Sequence, residues 1–323
     1  MRLTVVAPVY QEEKGILHFY ERTRAVLDTL TEVEATIIFV VDRCRDRSLE
    51  ILRSVTQRDT KVRVLALSAR FGHQASLLAG ISNALDADAI VMMDSDLQHP
   101  PELIPEMLHH FYEGIDVVYT VRRNNSDSGI VRKHLGAFFY ALINRLSSVD
   151  IPENTADFRL ISHRVACVLA HSIQERNLFL RGLVAWMGFP QVGLEYSSPP
   201  RFAGNSKYTF YPAMRLAIYG LLSFSAKPLQ VGLLCGIIFS CVSFFYAMIL
   251  SANYFIDKSL PSGWTTLSIL ILLATGIQLI VSGIIGIYVG GVYNEVKKRP
   301  LYLIQEDICH KTTGRESTET LAP

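Results

Sequence analysis

The chain has 323 residues, half of them apolar, with 19% charged residues and a formal net charge of +1. This length accommodates one large domain or two smaller ones, and the composition excludes a disordered or collagen-like protein. The near-neutral charge argues against general nucleic-acid binding. Five cysteines without a C-x-x-C pair argue against a disulfide framework or a zinc site.

The first 200 residues alternate predicted strands and helices. Apolar segments predict strands at residues 3–10, 35–42, 62–67 and 89–94. Helical stretches are predicted from Glu12 to about Leu30, over Leu49–Thr56 and from near His73. This order predicts an α/β domain whose mostly parallel sheet is covered by helices on both faces.

Polar residues follow several of these strands. They are Pro8 and Tyr10, Asp42, and the triplet Asp94-Ser95-Asp96. Because ligands of such sheets bind at the carboxyl ends of the strands, we expect these residues to share one crevice. The two carboxylates of the triplet would repel each other unless a cation lay between them, and their hard oxygens suit Mg²⁺ or Mn²⁺. A turn or helix cap is the alternative interpretation of the triplet.

The second half of the chain contains a long segment that is nearly free of charge. From Pro228 to Asn294 the only charged residues are Asp257 and Lys258. A membrane-spanning helix needs about 20 apolar residues. We therefore predict a transmembrane hairpin over 228–292, with spans at about 229–252 and 265–290.

Basic residues flank this hairpin at both ends: Arg215 and Lys227 before it, and Lys297, Lys298 and Arg299 after it. The positive-inside rule then places both ends in the cytoplasm, including a C-terminal tail over 293–323. The segment 211–227 shows apolar residues at helical spacing and is predicted to be an amphipathic helix in the membrane interface. An ordinary core helix is the alternative for that segment.

Several motifs together resemble a known family. They are VVAPVYQEE, MDSDLQHPPE, DFRL (157–160), ERNLFLRGLVAWMGF (175–189), RFAGNSKY (201–208) and KKRPLYLI. In this order, with the hairpin before the last of them, they resemble the family 2 glycosyltransferases that charge polyprenyl phosphates, such as dolichol-phosphate mannosyltransferases and bactoprenol glucosyltransferases. The resemblance extends from Leu3 to about Ile304.

This resemblance implies a GT-A (Rossmann-like) domain over 1–210, a nucleoside-diphosphate sugar donor and a lipid-phosphate acceptor. It implies inverting transfer of a hexose, with glucose and a UDP-linked donor favoured, to undecaprenyl phosphate. The protein would then be a multi-pass protein of the bacterial inner membrane, with both termini and the active site cytoplasmic. Members of this family often form homo-oligomers, and tetramers in some cases.

The resemblance also assigns roles to individual residues. Pro8, Tyr10 and Glu12 would line the nucleotide pocket, and Asp42 would contact the base or ribose. Asp94 and Asp96 would bind the metal and the diphosphate. Asp157 would lie near the reacting centre, and Arg201 and Lys207 would face phosphates.

Arg132, in the basic segment 121–134, is predicted to steer anionic lipid or close over the donor, with a solvated surface turn as the alternative.

Asp157 is predicted to orient the reactants or stabilise charge. A general base is the second possibility, and a structural salt bridge to Arg159 or another basic residue is the third. We predict ordinary structural roles for His73, His99, His109 and His110, because they show no metal-ligand spacing.

The chain departs from the pattern of its relatives at three places. Val41-Asp42-Arg43-Cys44 stands where D-D-G-S is usual, Ala69-Arg70-Phe71-Gly72 where R-N-F-G is usual, and Ile287 and Gly291 where Glu and Arg are usual. A catalytically impaired assembly subunit with the same fold is therefore the alternative function. A lipid transporter is disfavoured, since two spans without a polar relay provide little pathway.

Overall fold

The computed structural model describes residues 1–123, 155–173, 175–176, 178–197, 227–257 and 263–310. Strands and helices are numbered below in chain order within these residues. The described residues that lie in 1–142, 149–213 and 299–323 form one compact unit, and those in 214–298 form a second.

The first unit is built on an eight-stranded sheet with the order β7-β5-β6-β4-β1-β2-β3-β8. Its strands are β1 (Arg2–Val9), β2 (Glu34–Val41), β3 (Val62–Leu67), β4 (Ala89–Met92), β5 (Val117–Arg122), β6 (Thr155–Ser162), β7 (Gln191–Tyr196) and β8 (Ile304–Ile308). The central strands β4, β1, β2 and β3 run parallel, and so do β5 and β7. β6 pairs antiparallel with β4 and β5, and β8 pairs antiparallel with β3.

Helices lie along both faces of this sheet. They are α1 (Ile16–Asp28), α2 (Ser48–Thr56), α3 (His73–Ser82), α4 (Ile104–Tyr112), α5 (His163–Cys167) and α6 (Leu180–Trp186). The central strands carry apolar side chains at nearly every position because both of their faces are covered. On one face of the sheet, α3 packs so closely that its Gly80 lies against Val6 and Val40. These elements confirm the predicted α/β sheet domain with a Rossmann-like arrangement.

The sheet is more mixed than the sequence predicts. The antiparallel pairings of the described strands involve β6 and β8, which, like β5 and β7, are not among the predicted strands. β6 carries Asp157 and Arg159 among its apolar residues, and β8 is a short polar segment, Ile-Gln-Glu-Asp-Ile. We predicted a tail over 293–323, whereas its residues 304–308 form an edge strand of the sheet.

Two ion pairs hold β8 beside β3. Arg63 on β3 donates two hydrogen bonds to Asp307, at 2.9 and 2.6 Å, and Arg53 on α2 donates to Glu306. Both pairs are partly exposed, so each contributes at most about 1 kcal/mol and mainly fixes the position of the strand.

The second unit contains the long helices α7 (Lys227–Asp257) and α8 (Trp264–Val296). A Cβ atom at Gly232 of α7 would lie 3.4 Å from Val281 of α8, which shows that the two helices pack together there. Among the described residues, one segment is long and apolar enough to cross a membrane: Leu273–Val296, with a mean hydropathy of 1.8. The predicted two-span hairpin is not confirmed by this result, and multi-pass insertion stays a prediction. The predicted interface helix over 211–227 lies outside the described residues, apart from Lys227, which begins α7.

Candidate active site at the carboxyl ends of the central strands

Pro8 near the end of β1, and Tyr10 and Glu12 in the turn that follows, lie at the carboxyl edge of the sheet. Gln11, between Tyr10 and Glu12, has a φ of 55°, a left-handed conformation that is uncommon for a residue other than glycine. The backbone N–H of Glu12 donates to the hydroxyl of Ser48 at 3.0 Å. The guanidinium of Arg70 lies 4.3 Å from the centroid of the Tyr10 ring, within the range of a cation–π contact.

Asp42, directly after β2, is buried and holds the loop before α3. Its two carboxylate oxygens accept the backbone N–H groups of Phe71 and Gly72, at 2.8 and 2.9 Å. Gly72 has a φ of 94°, a conformation that glycine adopts readily. Asp42 was predicted to contact the base or ribose, and in the structure both of its oxygens bind this loop.

Replacing Asp42 by asparagine is expected to lower the free energy of unfolding by about 1–3 kcal/mol, since an amide nitrogen cannot accept one of the two hydrogen bonds. The loosened loop carries Arg70, so the KM for the predicted sugar-nucleotide donor should rise more than kcat falls. Thermal unfolding and initial rates measure the two effects. Unchanged stability together with a raised KM would instead assign Asp42 a direct contact with the nucleotide.

The Asp94-Ser95-Asp96 triplet follows β4 and is fixed at three points. The buried hydroxyl of Ser95 donates to the carbonyl of Pro8 at 2.8 Å, which joins the triplet to the end of β1. The backbone N–H of Asp94 donates to Nδ1 of His99 at 2.9 Å, and the N–H of Gln98 donates to Asp96 at 3.1 Å. These contacts hold two half-buried carboxylates at the edge of the sheet.

One oxygen of the triplet has no hydrogen-bond partner within the part of the chain that the structure describes. This atom is the buried Oδ1 of Asp94, and Nε2 of His73 lies 3.4 Å from it as an ion-pair contact. A buried acceptor in this condition is costly unless another ligand satisfies it. The donor set therefore fits a divalent cation held by Asp94 and Asp96 together with oxygens of a ligand. Within the described residues, no group of three or more acidic, histidine or cysteine side chains forms a complete metal site.

Asp157, on β6, is engaged by two cationic side chains. Nε and Nη2 of Arg181 donate to its two oxygens at 2.6 and 2.8 Å. Nε2 of His73 lies 3.3 Å from Oδ2 of Asp157. Burial opposes ionisation of Asp157, but the nearby Arg181 and His73 hold the pKa of this carboxyl well below its usual range. Asp157 is therefore a carboxylate at neutral pH.

Asp157 forms a salt bridge, as one of the three interpretations predicts, and of the basic residues that the prediction allowed the partner is Arg181. Arg159, two residues along β6, is buried and donates to the carbonyl of Ala156 at 3.2 Å. Burial lowers the pKa of Arg159 to about 10, and the guanidinium stays charged at neutral pH.

His73 and Arg181 are the site residues that sequence reasoning missed. His73 was assigned an ordinary structural role, whereas its Nε2 contacts both Asp94 and Asp157. Burial opposes the charge on His73, but the two carboxylates outweigh it and raise its pKa to about 9. Two features of the sequence could have indicated these residues. His73 stands at the start of a predicted helix, after a loop that faces the sheet edge, and Arg181 lies inside the 175–189 motif.

The other three histidines of that prediction make different contacts, and Nε2 of His99 lies 3.7 Å from Oδ2 of Asp94. His99 is buried, its ring stacks on Phe158 at 5.2 Å, and burial lowers its pKa. His109 and His110 on α4 both contact Glu113.

The structure thus brings most of the predicted site residues to one edge of the sheet: Pro8, Tyr10, Glu12, Asp42, Asp94, Asp96 and Asp157. The predicted phosphate-binding residues Arg132, Arg201 and Lys207 lie outside the described residues.

Comparisons with known proteins give a consistent assignment. The family model described as glycosyl transferase family 2 matches residues 4–169. A glycosyltransferase of Bacillus subtilis, YkcC, is 40% identical over 95% of this chain and 94% of its own. The bactoprenol glucosyl transferase of Shigella phage SfV is 34% identical over 95% of this chain and 99% of its own.

Among solved structures, glucosyl-3-phosphoglycerate synthase from Mycobacterium tuberculosis, crystallised with Mn²⁺, UDP-glucose and phosphoglyceric acid, is 19% identical. The match covers 68% of this chain and 78% of that one, with a TM-score of 0.46.

The family match extends over half of the chain and the relatives over nearly all of it. The chain, with its GT-A sheet domain, is therefore a member of glycosyltransferase family 2.

Proposed function

We propose that this protein transfers a hexose, with glucose favoured, from a nucleoside-diphosphate sugar to a polyprenyl phosphate such as undecaprenyl phosphate. A UDP-sugar is the favoured donor, and the product would be a lipid-phosphate sugar for glycosylation of the cell envelope. Relatives named bactoprenol glucosyl transferase, 34% identical over nearly the whole chain, support the acceptor and the sugar.

The observation that carries the proposal is the buried oxygen of Asp94, which has no hydrogen-bond partner among the residues that the structure describes and shares its His73 contact with the ionised Asp157. Asp94 and Asp96 would hold Mg²⁺ or Mn²⁺, and the bound cation would neutralise the diphosphate as it leaves. Tyr10 and Glu12, on the neighbouring turn, would line the nucleotide side of the same edge.

The acceptor needs little help from a base. The second pKa of a phosphate monoester is about 6, so the lipid phosphate is already a nucleophile at neutral pH. Asp157 is held as a carboxylate by Arg181, and this pairing favours an orienting and electrostatic role over proton transfer. Attack on C1 from the face opposite the diphosphate would invert the anomeric configuration.

The long helices support action at a membrane. Large apolar side chains on α7 and α8 are exposed, among them Phe244 at 67% and Leu279 at 68%. Apolar surface of this extent is stable only when lipid or another protein covers it. We propose that both helices insert as a hairpin in the bacterial inner membrane, with both termini and the active site cytoplasmic, and that the protein assembles as a homo-oligomer, with a tetramer as one candidate.

A catalytically impaired assembly subunit is the second candidate. Two observations favour this candidate. Both oxygens of Asp42 bind the loop before α3, although Asp42 is predicted to contact the nucleotide, and the turn Arg43-Cys44-Arg45 differs from the D-D-G-S motif of relatives. The acidic pair Asp94 and Asp96 and the Asp157–Arg181 ion pair support the enzyme instead.

A donor screen tests the function. Purified full-length protein in lipid nanodiscs would be incubated with undecaprenyl phosphate, Mg²⁺ or Mn²⁺, and a panel of radiolabelled nucleotide sugars. We expect label in the lipid fraction with one donor, UDP-glucose first, and none after chelation with EDTA. NMR of the product should show inverted anomeric configuration.

The acceptor arm needs a matched control. Undecaprenol, which lacks the phosphate, should accept no sugar under the same conditions. Absence of transfer from every donor, with the protein folded, would reject the enzyme and favour the assembly subunit.

A further inference from the structure

We propose that Arg181 and His73 are positioning residues of the sugar transfer, which fix the Asp157 carboxylate in one orientation and link it to Asp94. This inference rests on the proposed function, because it assigns roles within the same site. It is drawn from contacts between residues that are far apart in the sequence.

Arg181 restricts the rotation of the carboxylate. Two parallel hydrogen bonds, at 2.6 and 2.8 Å, join its planar guanidinium to both oxygens of Asp157. Only arginine offers this two-pronged geometry, since the ammonium group of lysine is a single point of charge. The side chain of Asp157 is 9% exposed, so water competes little for the same oxygens.

His73 supplies the second constraint. A single atom, its Nε2, lies 3.3 Å from Asp157 and 3.4 Å from Asp94. Asp157 comes from β6 and Asp94 from the end of β4, so this imidazole connects the proposed reacting centre to the proposed metal-binding pair.

The elements that carry these two residues are themselves tied together. Gln74, next to His73, accepts the backbone N–H of Leu180 at 3.0 Å, and Leu180 precedes Arg181 at the start of α6. On the other side, Asp42 binds the backbone of Phe71 and Gly72 before His73. The start of α3 therefore connects β2, Asp157 and α6.

Such a network suits a reaction that depends on alignment. A displacement of about 1 Å of a group near the reacting atoms is able to reduce the rate about 100-fold. Loss of Arg181 would free Asp157 to rotate without removing any predicted contact to the nucleotide. We therefore expect the effect in kcat and a smaller one in the KM of the donor.

A double-mutant cycle tests the role of Arg181. Arg181→Met is expected to lower kcat about 100-fold, with less than about a threefold change in donor KM. The double variant with Asp157→Asn should be no slower than Asp157→Asn alone, because Arg181 acts through Asp157. Arg181→Lys should recover part of kcat, since it keeps the charge without the paired geometry.

The chain offers a matched control in Arg164 and Asp116. Arg164 also donates two hydrogen bonds to one carboxylate, and the Asp116 side chain is 8% exposed. This pair lies at the amino end of β5, the opposite edge of the sheet from the site. Arg164→Met should lower stability as Arg181→Met does and leave kcat unchanged below the unfolding temperature.

His73 is tested by a pair of variants. His73→Gln places an amide nitrogen at a similar reach and should retain more of kcat than His73→Ala. Provided that the wild type transfers sugar, equal activity of His73→Gln and His73→Ala would overturn the inference, and so would full activity of Arg181→Met. Additive losses in the double-mutant cycle would also overturn it. An inactive wild type would instead reject the proposed function.

Discussion

Replacing Asp94 by alanine is expected to lower sugar transfer by about 1000-fold or more, while the protein stays folded. Asp94 provides a buried oxygen that has no hydrogen-bond partner among the described residues, and it contacts the same nitrogen of His73 as Asp157 does. Its removal takes away the proposed cation ligand and also the contact that His73 makes with β4. Higher metal concentration should not restore the rate.

The measurement is the initial rate of lipid labelling over a range of Mn²⁺ concentrations, together with thermal unfolding. Glu113→Ala is the charge-matched control, because Glu113 follows α4, is exposed and contacts only His109 and His110 among the described residues. Full activity of Asp94→Ala would remove this residue from the proposed metal pair. Restoration of the rate by excess metal would show that Asp94 contributes only to the affinity for the metal ion.

Replacing Gly80 by alanine is expected to lower the free energy of unfolding by at least about 2 kcal/mol. Alanine would favour the helix by about 1 kcal/mol, so the sign of the effect depends on packing. A Cβ atom at Gly80 would lie 2.2 Å from Cγ1 of Val6 and 3.1 Å from Cγ2 of Val40. Both are short, β-branched side chains on central strands, and neither is able to move away without disturbing the sheet.

Differential scanning fluorimetry of the full chain would show a decrease in Tm of about 5 °C or more. A second substitution provides the control, because Val6→Ala removes the methyl group that clashes. The Gly80→Ala and Val6→Ala double variant should be more stable than the sum of the single effects predicts. Strict additivity, or a higher Tm for Gly80→Ala alone, would contradict the close packing of α3. Since α3 begins at His73, the single variant should also lose transfer activity.

The central strands and the acidic triplet could be predicted because their signals are local. Continuous apolar segments mark strands that are covered on both faces, and Asp94 and Asp96 follow such a segment directly. Because parallel strands all end at the same edge of the sheet, residues that directly follow these strands are predicted to lie together there. The strands β1 to β4 and the helices α1 to α3 agree with the prediction.

The remaining features depend on contacts that no local pattern encodes. His73, Asp157 and Arg181 come from three separate elements, and only the folded sheet brings them together. Asp42 illustrates the same limit, since its position at the end of β2 was predictable but its partners, Phe71 and Gly72, were not. β8 was missed because five residues with three polar side chains carry no strand signal of their own.

The edge strand β8 also determines when the sheet is completed during synthesis. Arg53 and Glu306 are 253 positions apart, and Arg63 and Asp307 are 244 apart. The ribosome therefore makes both long helices before the segment that covers β3 emerges. Until then the hydrogen-bonding groups on that side of β3 have no strand partner, and an open edge of this kind invites pairing with other chains. If the other strands pair before β8 emerges, the sheet of the nascent protein would be nearly complete while this edge could still pair with other chains.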